Sequence, residues 1–182
     1  MHPEAQELFR KFLMKYYGEG TPRILDVGSF NVNGSLKDLL EEYLGIRVTE
    51  KTPIAHRETA RKLDYVGLDQ EKGPNVDVVG DAHQMPFAGE SFDLIISSSC
   101  FEHDEMFWVT FSEMSRILKP GGLLYICVPS AGPYHGFPGD CWRFYKDSWK
   151  ALVKWCPSLE LVESSIEIRG VWKDTVGVFR KK

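Results

Sequence analysis

Apolar residues recur in pairs four positions apart over residues 3–17, as Leu8/Phe9, Phe12/Leu13 and Tyr16/Tyr17. That recurrence predicts an amphipathic helix, ended by Gly18 and Gly20. The period then changes. Arg23-Ile24-Leu25-Asp26-Val27-Gly28 is a short apolar run closed by glycine, which predicts a buried strand entering a loop. Leu36, Leu39, Leu40, Tyr43 and Leu44 return to helical spacing, with Gly45 as the stop. Residues 46–62 are polar and weakly periodic, and predict an insertion or an irregular connection.

Beyond residue 64 the alternation becomes regular. Tyr65–Leu68 and Val76–Val79 predict strands ending at Asp69 and at Gly80-Asp81, and Phe92–Ser97 predicts a strand buried on both faces. Phe107, Trp108, Phe111, Met114, Ile117 and Leu118 share a face of a helix over residues 104–118. Pro120-Gly121-Gly122 reads as the turn into a strand over 123–128, followed by a helix over 146–155. Strands over 159–168 and 171–179, joined at Arg169-Gly170, must run antiparallel because so short a turn allows nothing else. Apolar strands alternating with helices predict a doubly wound, mostly parallel α/β sheet.

Composition narrows the function classes. The chain has 182 residues, 43% hydrophobic and 26% charged, which fits a single soluble domain over residues 1–182. A net charge of −4 argues against nucleic acid as the partner. Cys100, Cys127, Cys141 and Cys156 form no CxxC pair, so neither a structural zinc site nor a disulfide framework is expected. No apolar stretch approaches ~20 residues and residues 1–17 lack a signal-peptide core, so a cytoplasmic protein without membrane contact is expected.

The candidate chemistry lies at the predicted carboxyl ends of the strands, where open parallel sheets bind ligands. After the first strand comes Asp26-Val27-Gly28-Ser29-Phe30-Asn31-Val32-Asn33-Gly34-Ser35, a glycine-bearing loop running into a helix N-terminus. The nicotinamide fingerprint needs a second glycine where Phe30 stands, so it fails. The loop resembles the first motif of class I S-adenosylmethionine-dependent methyltransferases of the type 11 kind, in its acidic residue, spacer and glycine. Phe30 and Val32 depart from that pattern, where glycines are common. Asp69, Gly80-Asp81-Ala82, Phe92–Ser98 with Phe101-Glu102-His103, and Leu118–Leu124 resemble the later motifs in order. The likeness runs through residues 23–130.

The resemblance implies a Rossmann-like seven-stranded sheet with an antiparallel C-terminal strand, and S-adenosylmethionine as cofactor. It places the cofactor against Asp26, Gly28, Ser29, Asn33, Asp69, Gln70, Asp81, Ala82, Ser97 and Ser98. Asp69 would accept from both ribose hydroxyls and Asp81 from the adenine amine, as carboxylates suit paired or exocyclic donors.

Residues 129–145 are too rich in Gly, Pro and aromatics for a helix, and resemble an extension in a bacterial subset acting on glycans or small metabolites. They are read as an acceptor loop, alongside an N-terminal helix over 1–20. His135 is the candidate base, Asp140 its orienter or substitute, and His103 a second candidate. Tyr134, Trp142, Arg143 and Tyr145 form a candidate acceptor wall; Trp142 and Phe144 serve equally well as anchors of the loop. No metal is expected. Ser97-Ser98-Ser99-Cys100 occupies the place of the Asn/Asp-Pro-Pro-aromatic motif of enzymes methylating nucleobase amines, so a small acceptor is expected. O-methylation of a sugar or metabolite hydroxyl fits best. The alternatives are an amine or carboxyl acceptor, a non-catalytic module binding S-adenosylmethionine or S-adenosylhomocysteine, and a nicotinamide-dependent reductase.

Overall fold

The computed structural model describes residues 2–18, 20–31, 34–46 and 63–182. Helices α1 (Pro3–Tyr16), α2 (Leu36–Tyr43), α3 (Phe107–Ile117) and α4 (Ser148–Trp155) accompany strands β1 (Arg23–Val27), β2 (Asp64–Asp69), β3 (Val78–Val79), β4 (Phe92–Ser98), β5 (Leu118–Val128), β6 (Leu159–Ile166) and β7 (Thr175–Lys181). The strands form one sheet in the order β3-β2-β1-β4-β5-β7-β6. β1 pairs in parallel with both β2 and β4, and β4 pairs in parallel with β5. β7 is inserted antiparallel between β5 and β6. This is the expected seven-stranded α/β architecture. The expected insertion over 46–62 lies, apart from Ile46, outside the described residues.

Alternation along the strands divides the core in two. Ile24, Leu94, Ile96, Tyr125 and Cys127 face α1 and α2, while Leu25, Val27, Ile95, Leu124 and Ile126 face α3 and α4. Helix α1 seats Phe9 and Phe12 on Tyr125, with ring centroids 5.1 and 4.7 Å away. Such pairs add to the burial that drives the helix onto the sheet. On the other side Trp149 is fully buried and its indole N–H donates to Thr175 Oγ1 at 3.0 Å, fixing α4 to β7.

Two expected turns are different in the structure. Pro120-Gly121-Gly122 is not a helix-to-strand turn: Leu118 already pairs with Phe92, and Leu123 pairs with Leu94, so the segment bulges out within β5. The β6–β7 connection is not a tight turn at Arg169-Gly170, because β7 begins at Thr175 rather than Val171. The longer connection carries Trp172 and Asp174 back over the carboxyl end of the sheet. No helix among the described residues is long and apolar enough to cross a membrane.

Candidate active site

Between β1 and β4 the chain reverses the direction in which it adds strands, and a cleft of about 1100 Å³ opens there beyond the strand ends. Gly28 closes β1 with φ +78°, and a Cβ there would come within 2.8 Å of both Cβ and Sγ of Cys100. Only glycine combines that backbone with so close an approach. The Gly28 and Ser29 N–H groups donate to Leu68 O at 2.9 and 3.2 Å, which ties the loop to β2.

Asp69 ends β2 and lines the cleft. Phe30 N–H donates to its Oδ2 at 3.0 Å and Glu71 N–H to its Oδ1 at 3.2 Å. Each oxygen keeps a lone pair for a ligand. Asp81 follows β3; His83 N–H donates to its Oδ1 at 2.8 Å, and His83 Nε2 lies 2.7 Å from Asp104 Oδ1. Asp26 is 3% exposed and accepts from Tyr65 OH at 2.8 Å. Burial pushes its carboxyl up to about 7, opposed by the Tyr65 hydrogen bond and aided by the charge on Asp69.

The opposite end of the cleft is assembled from distant segments. Glu102 and His103 sit in the turn after β4, Tyr134 and His135 in the loop after β5, and Trp172 and Asp174 in the β6–β7 connection; His2 joins them from the N-terminus. Cys141 N–H and Trp142 N–H both donate to Glu102 O, at 2.7 and 3.2 Å, strapping the loop after β5 across this turn. Ser130 and Ala131 N–H groups donate to Trp172 O at 3.1 and 2.9 Å. Gly132, at φ +104°, leaves room for the Trp172 ring.

Glu102 and Asp174 are each 1% exposed, and none of their carboxyl oxygens has a hydrogen-bond partner among the described residues. Burial pushes Glu102 up to about 8, with the charge of Asp174 adding to it. His2 Nε2 lies 3.1 Å from Asp174 Oδ2. Burial works against a charge on His2, yet Asp174 and Glu4 together raise its pKa. The hydroxyls of Ser29 and Ser98, also on the cleft wall, are buried without partners as well. Buried polar groups are ordinarily paired, so their concentration here marks a place built to receive something polar.

The cleft brings together Asp26, Gly28, Ser29, Asp69, Gln70, Asp81, Ala82, Ser98, His103, Tyr134 and His135. Asn33 lies outside the described residues. Ser97 is not on the wall: its hydroxyl is buried and donates to Val27 O at 2.8 Å, joining β4 to β1. Asp140 stands behind His135, its Oδ2 accepting from His135 N–H at 2.8 Å. The Arg143 guanidinium grips it (Nη1–Oδ1 2.5 Å, Nη2–Oδ2 2.8 Å) and holds its carboxyl far below the usual range. Arg143 is thereby committed to Asp140 instead of facing the cleft. Trp142 packs on Phe107 and donates its indole N–H to Asp104 O at 2.9 Å, and Tyr145 points to solvent. These three brace or flank the loop and do not line the cleft.

Glu102, Trp172, Asp174 and His2 were absent from the sequence-based site. Glu102 stands inside a quoted motif, beside His103, and the polar interruption Lys173-Asp174 within an apolar strand pattern was the available signal for the connection.

A family model described as "Methyltransferase domain" matches residues 25–126, more than half of the chain. The malonyl-[acyl-carrier protein] O-methyltransferase of Methylococcus capsulatus is 49% identical over 117 residues, covering 61% of this chain and 38% of that protein. The demethylmenaquinone methyltransferase of Chlorobaculum parvum is 30% identical over 115 residues, covering 62% of this chain and 43% of that protein. The chain thus spans less than half the length of either relative. The Burkholderia thailandensis 1,6-didemethyltoxoflavin-N1-methyltransferase, solved with 1,6-didemethyltoxoflavin and S-adenosylhomocysteine, matches with a TM-score of 0.62 at 13% identity, over 99% of this chain and 77% of that one. That likeness is one of fold.

Proposed function

This chain belongs to the methyltransferase-domain family, and we propose that it binds S-adenosylmethionine and transfers the methyl group to oxygen of a small acceptor, a sugar or metabolite hydroxyl. One observation carries this: Asp26, Gly28, Asp69 and Asp81, from three successive strand ends, line the same cleft that ends at two buried carboxyls, Glu102, unpartnered among the described residues, and Asp174, paired with His2. The ribose hydroxyls of the donor fit the free lone pairs of Asp69, and the adenine amine fits Asp81. Asp26, buried and short of a cation, suits the positive charge of the methionine end. The donor sulfonium then sits between β1 and β4, with its methyl group toward His103 and His135.

Transfer forms a bond from the acceptor oxygen to the methyl carbon as the carbon–sulfur bond breaks, its electron pair passing to sulfur. The sulfonium is already activated, so the protein contributes alignment and removal of the hydroxyl proton. His135, backed by Asp140, is the proposed group for that proton, and His103 is its neighbour with ring centroids 4.9 Å apart. Residues 129–145 are the proposed acceptor loop, with Tyr134 on the wall. The buried Glu102 carboxyl, unpartnered among the described residues, favours an amine acceptor as the second reading, since it would receive an N–H group.

The test is transfer of labelled methyl from S-adenosylmethionine to a panel of sugars, hydroxylated metabolites, amines and carboxylic acids. Label on a hydroxyl compound is the expected outcome. Donor binding without transfer to any of them would leave a non-catalytic binding module.

A further inference from the structure

We propose that Glu102, His103 and His135 bind a divalent first-row transition-metal ion at the acceptor end of the cleft. One ligand atom from each of the three residues lies within 4.8 Å of the other two. Bonds of about 2.1 Å to a tetrahedral centre bring ligand atoms to roughly 3.4 Å of one another, a distance small side-chain rotations reach from here.

One of the two imidazoles is already set for this. His103 Nδ1 lies 2.5 Å from Gly139 O, and a carbonyl only accepts, so the proton is on Nδ1 and Nε2 keeps its lone pair. His135 Nδ1 lies 3.1 Å from Asp140 Oδ2, with Arg143 Nη2 at 3.3 Å on the same side. Asp140 Oδ2 accepts from that nitrogen when the proton is on Nδ1, whereas Arg143 Nη2 can only donate to it; the tautomer with the proton on Nδ1, which frees Nε2 for the ion, is the one the proposed site requires. A histidine that gives its far N–H to a carbonyl or carboxylate is the usual arrangement behind a metal ligand.

Glu102 supplies the independent observation. It is 1% exposed, lines the cleft and has no hydrogen-bond partner on either oxygen among the described residues. His103 Nε2 is its nearest basic group at 3.7 Å, too far for a hydrogen bond but compatible with two ligands on one ion. A base acting alone would need one imidazole, not two converging on an unpartnered carboxyl. Two nitrogens and one oxygen select zinc, iron(II), cobalt or manganese over calcium and magnesium.

The binding stands apart from the proposed methyl transfer; the role of the ion rests on it. Bound to the cation, the acceptor hydroxyl loses its proton to solvent more readily, and its oxygen takes the methyl group while the pair from the broken carbon–sulfur bond stays on sulfur. His135 then acts as a ligand, and the cation promotes the proton loss otherwise assigned to it. No change of oxidation state is involved.

The experiment is chelation of the full chain, reloading with Co2+ or Zn2+, and measurement of bound metal by elemental analysis and of affinity by competition with a chelator. One equivalent per chain is expected, with Co2+ showing the visible absorption of mixed nitrogen–oxygen coordination. His103→Ala and His135→Ala should each weaken binding at least about tenfold, and Asp140→Asn about 10- to 100-fold. Metal held equally well by His103→Ala and His135→Ala, or none held by the full chain, would overturn the proposal. If the alanine variants fail to fold, a wild-type Co2+ spectrum that shows only water-like octahedral bands overturns it as well. Titration with S-adenosylhomocysteine, with and without chelator, separates the two readings: loss of that binding alone would sink the methyltransferase proposal and leave the metal site standing.

Discussion

At the β1–β3 end of the cleft each carboxylate is held by neighbours: Asp69 by two backbone N–H groups, Asp81 by His83 N–H and Asp26 by the Tyr65 hydroxyl. At the β4–β5 end Glu102 is buried without a hydrogen-bond partner among the described residues and Asp174 is buried in an ion pair with His2, under a strap formed by residues 129–145. At the first end the three carboxylates are anchored before any ligand arrives, and the buried Ser29 hydroxyl is left without a partner among the described residues. The second stores the Glu102 carboxyl, whose cost of burial a bound molecule or ion relieves. If the two ends divide the work in this way, a substitution in one should leave the other intact.

The largest separation is expected from His135→Ala. Methyl transfer should fall about 10²- to 10⁴-fold while S-adenosylhomocysteine affinity stays within about twofold, read by turnover and calorimetry on the same sample. A matching loss of affinity would merge the two ends into one site. Gly28→Val does the converse. The clash with Cys100 and the positive φ should cost about 100-fold in cofactor affinity, checked by calorimetry against the thermal midpoint to exclude unfolding. Asp69→Ala removes one charged acceptor and should weaken the cofactor by roughly 10- to 100-fold.

The donor end was legible because each of its acids lies within two residues of the end of its own strand, so sequence order and spatial order coincide for Asp26, Asp69 and Asp81. The acceptor end was not. Glu102, His135 and Asp174 come from three connections, and only the return of the β6–β7 connection over the sheet places Asp174 beside His2. Arg143 read as part of the acceptor wall because its charge and place beside Trp142 are visible in the sequence, whereas its clamp on Asp140 depends on the path of the loop. The bulge at Pro120-Gly121-Gly122 depends on pairing register, which a turn signature does not contain.

A smaller effect sharpens the comparison through pH. The Asp26 carboxyl stands near 7 in the folded protein and near 3.9 in an unfolded chain. The stability it contributes is therefore full below about pH 4 and lost as pH rises through about 7. A cationic ligand favours the anion, so S-adenosylmethionine affinity should rise about tenfold from pH 6 to pH 8, and Asp26→Asn should flatten that rise. A flat wild-type profile would remove Asp26 from the donor site. Tyr65→Phe should have the smallest effect, about 1 kcal/mol in chemical denaturation, with the Asp26 transition moved to higher pH.

The most direct test of the central claim is calorimetric titration of S-adenosylmethionine and S-adenosylhomocysteine into the wild type, Asp69→Ala and Asp81→Ala. The expected result is micromolar binding to the wild type, weakened by both substitutions. A folded wild type that binds neither compound, or binding that neither substitution alters, would contradict it.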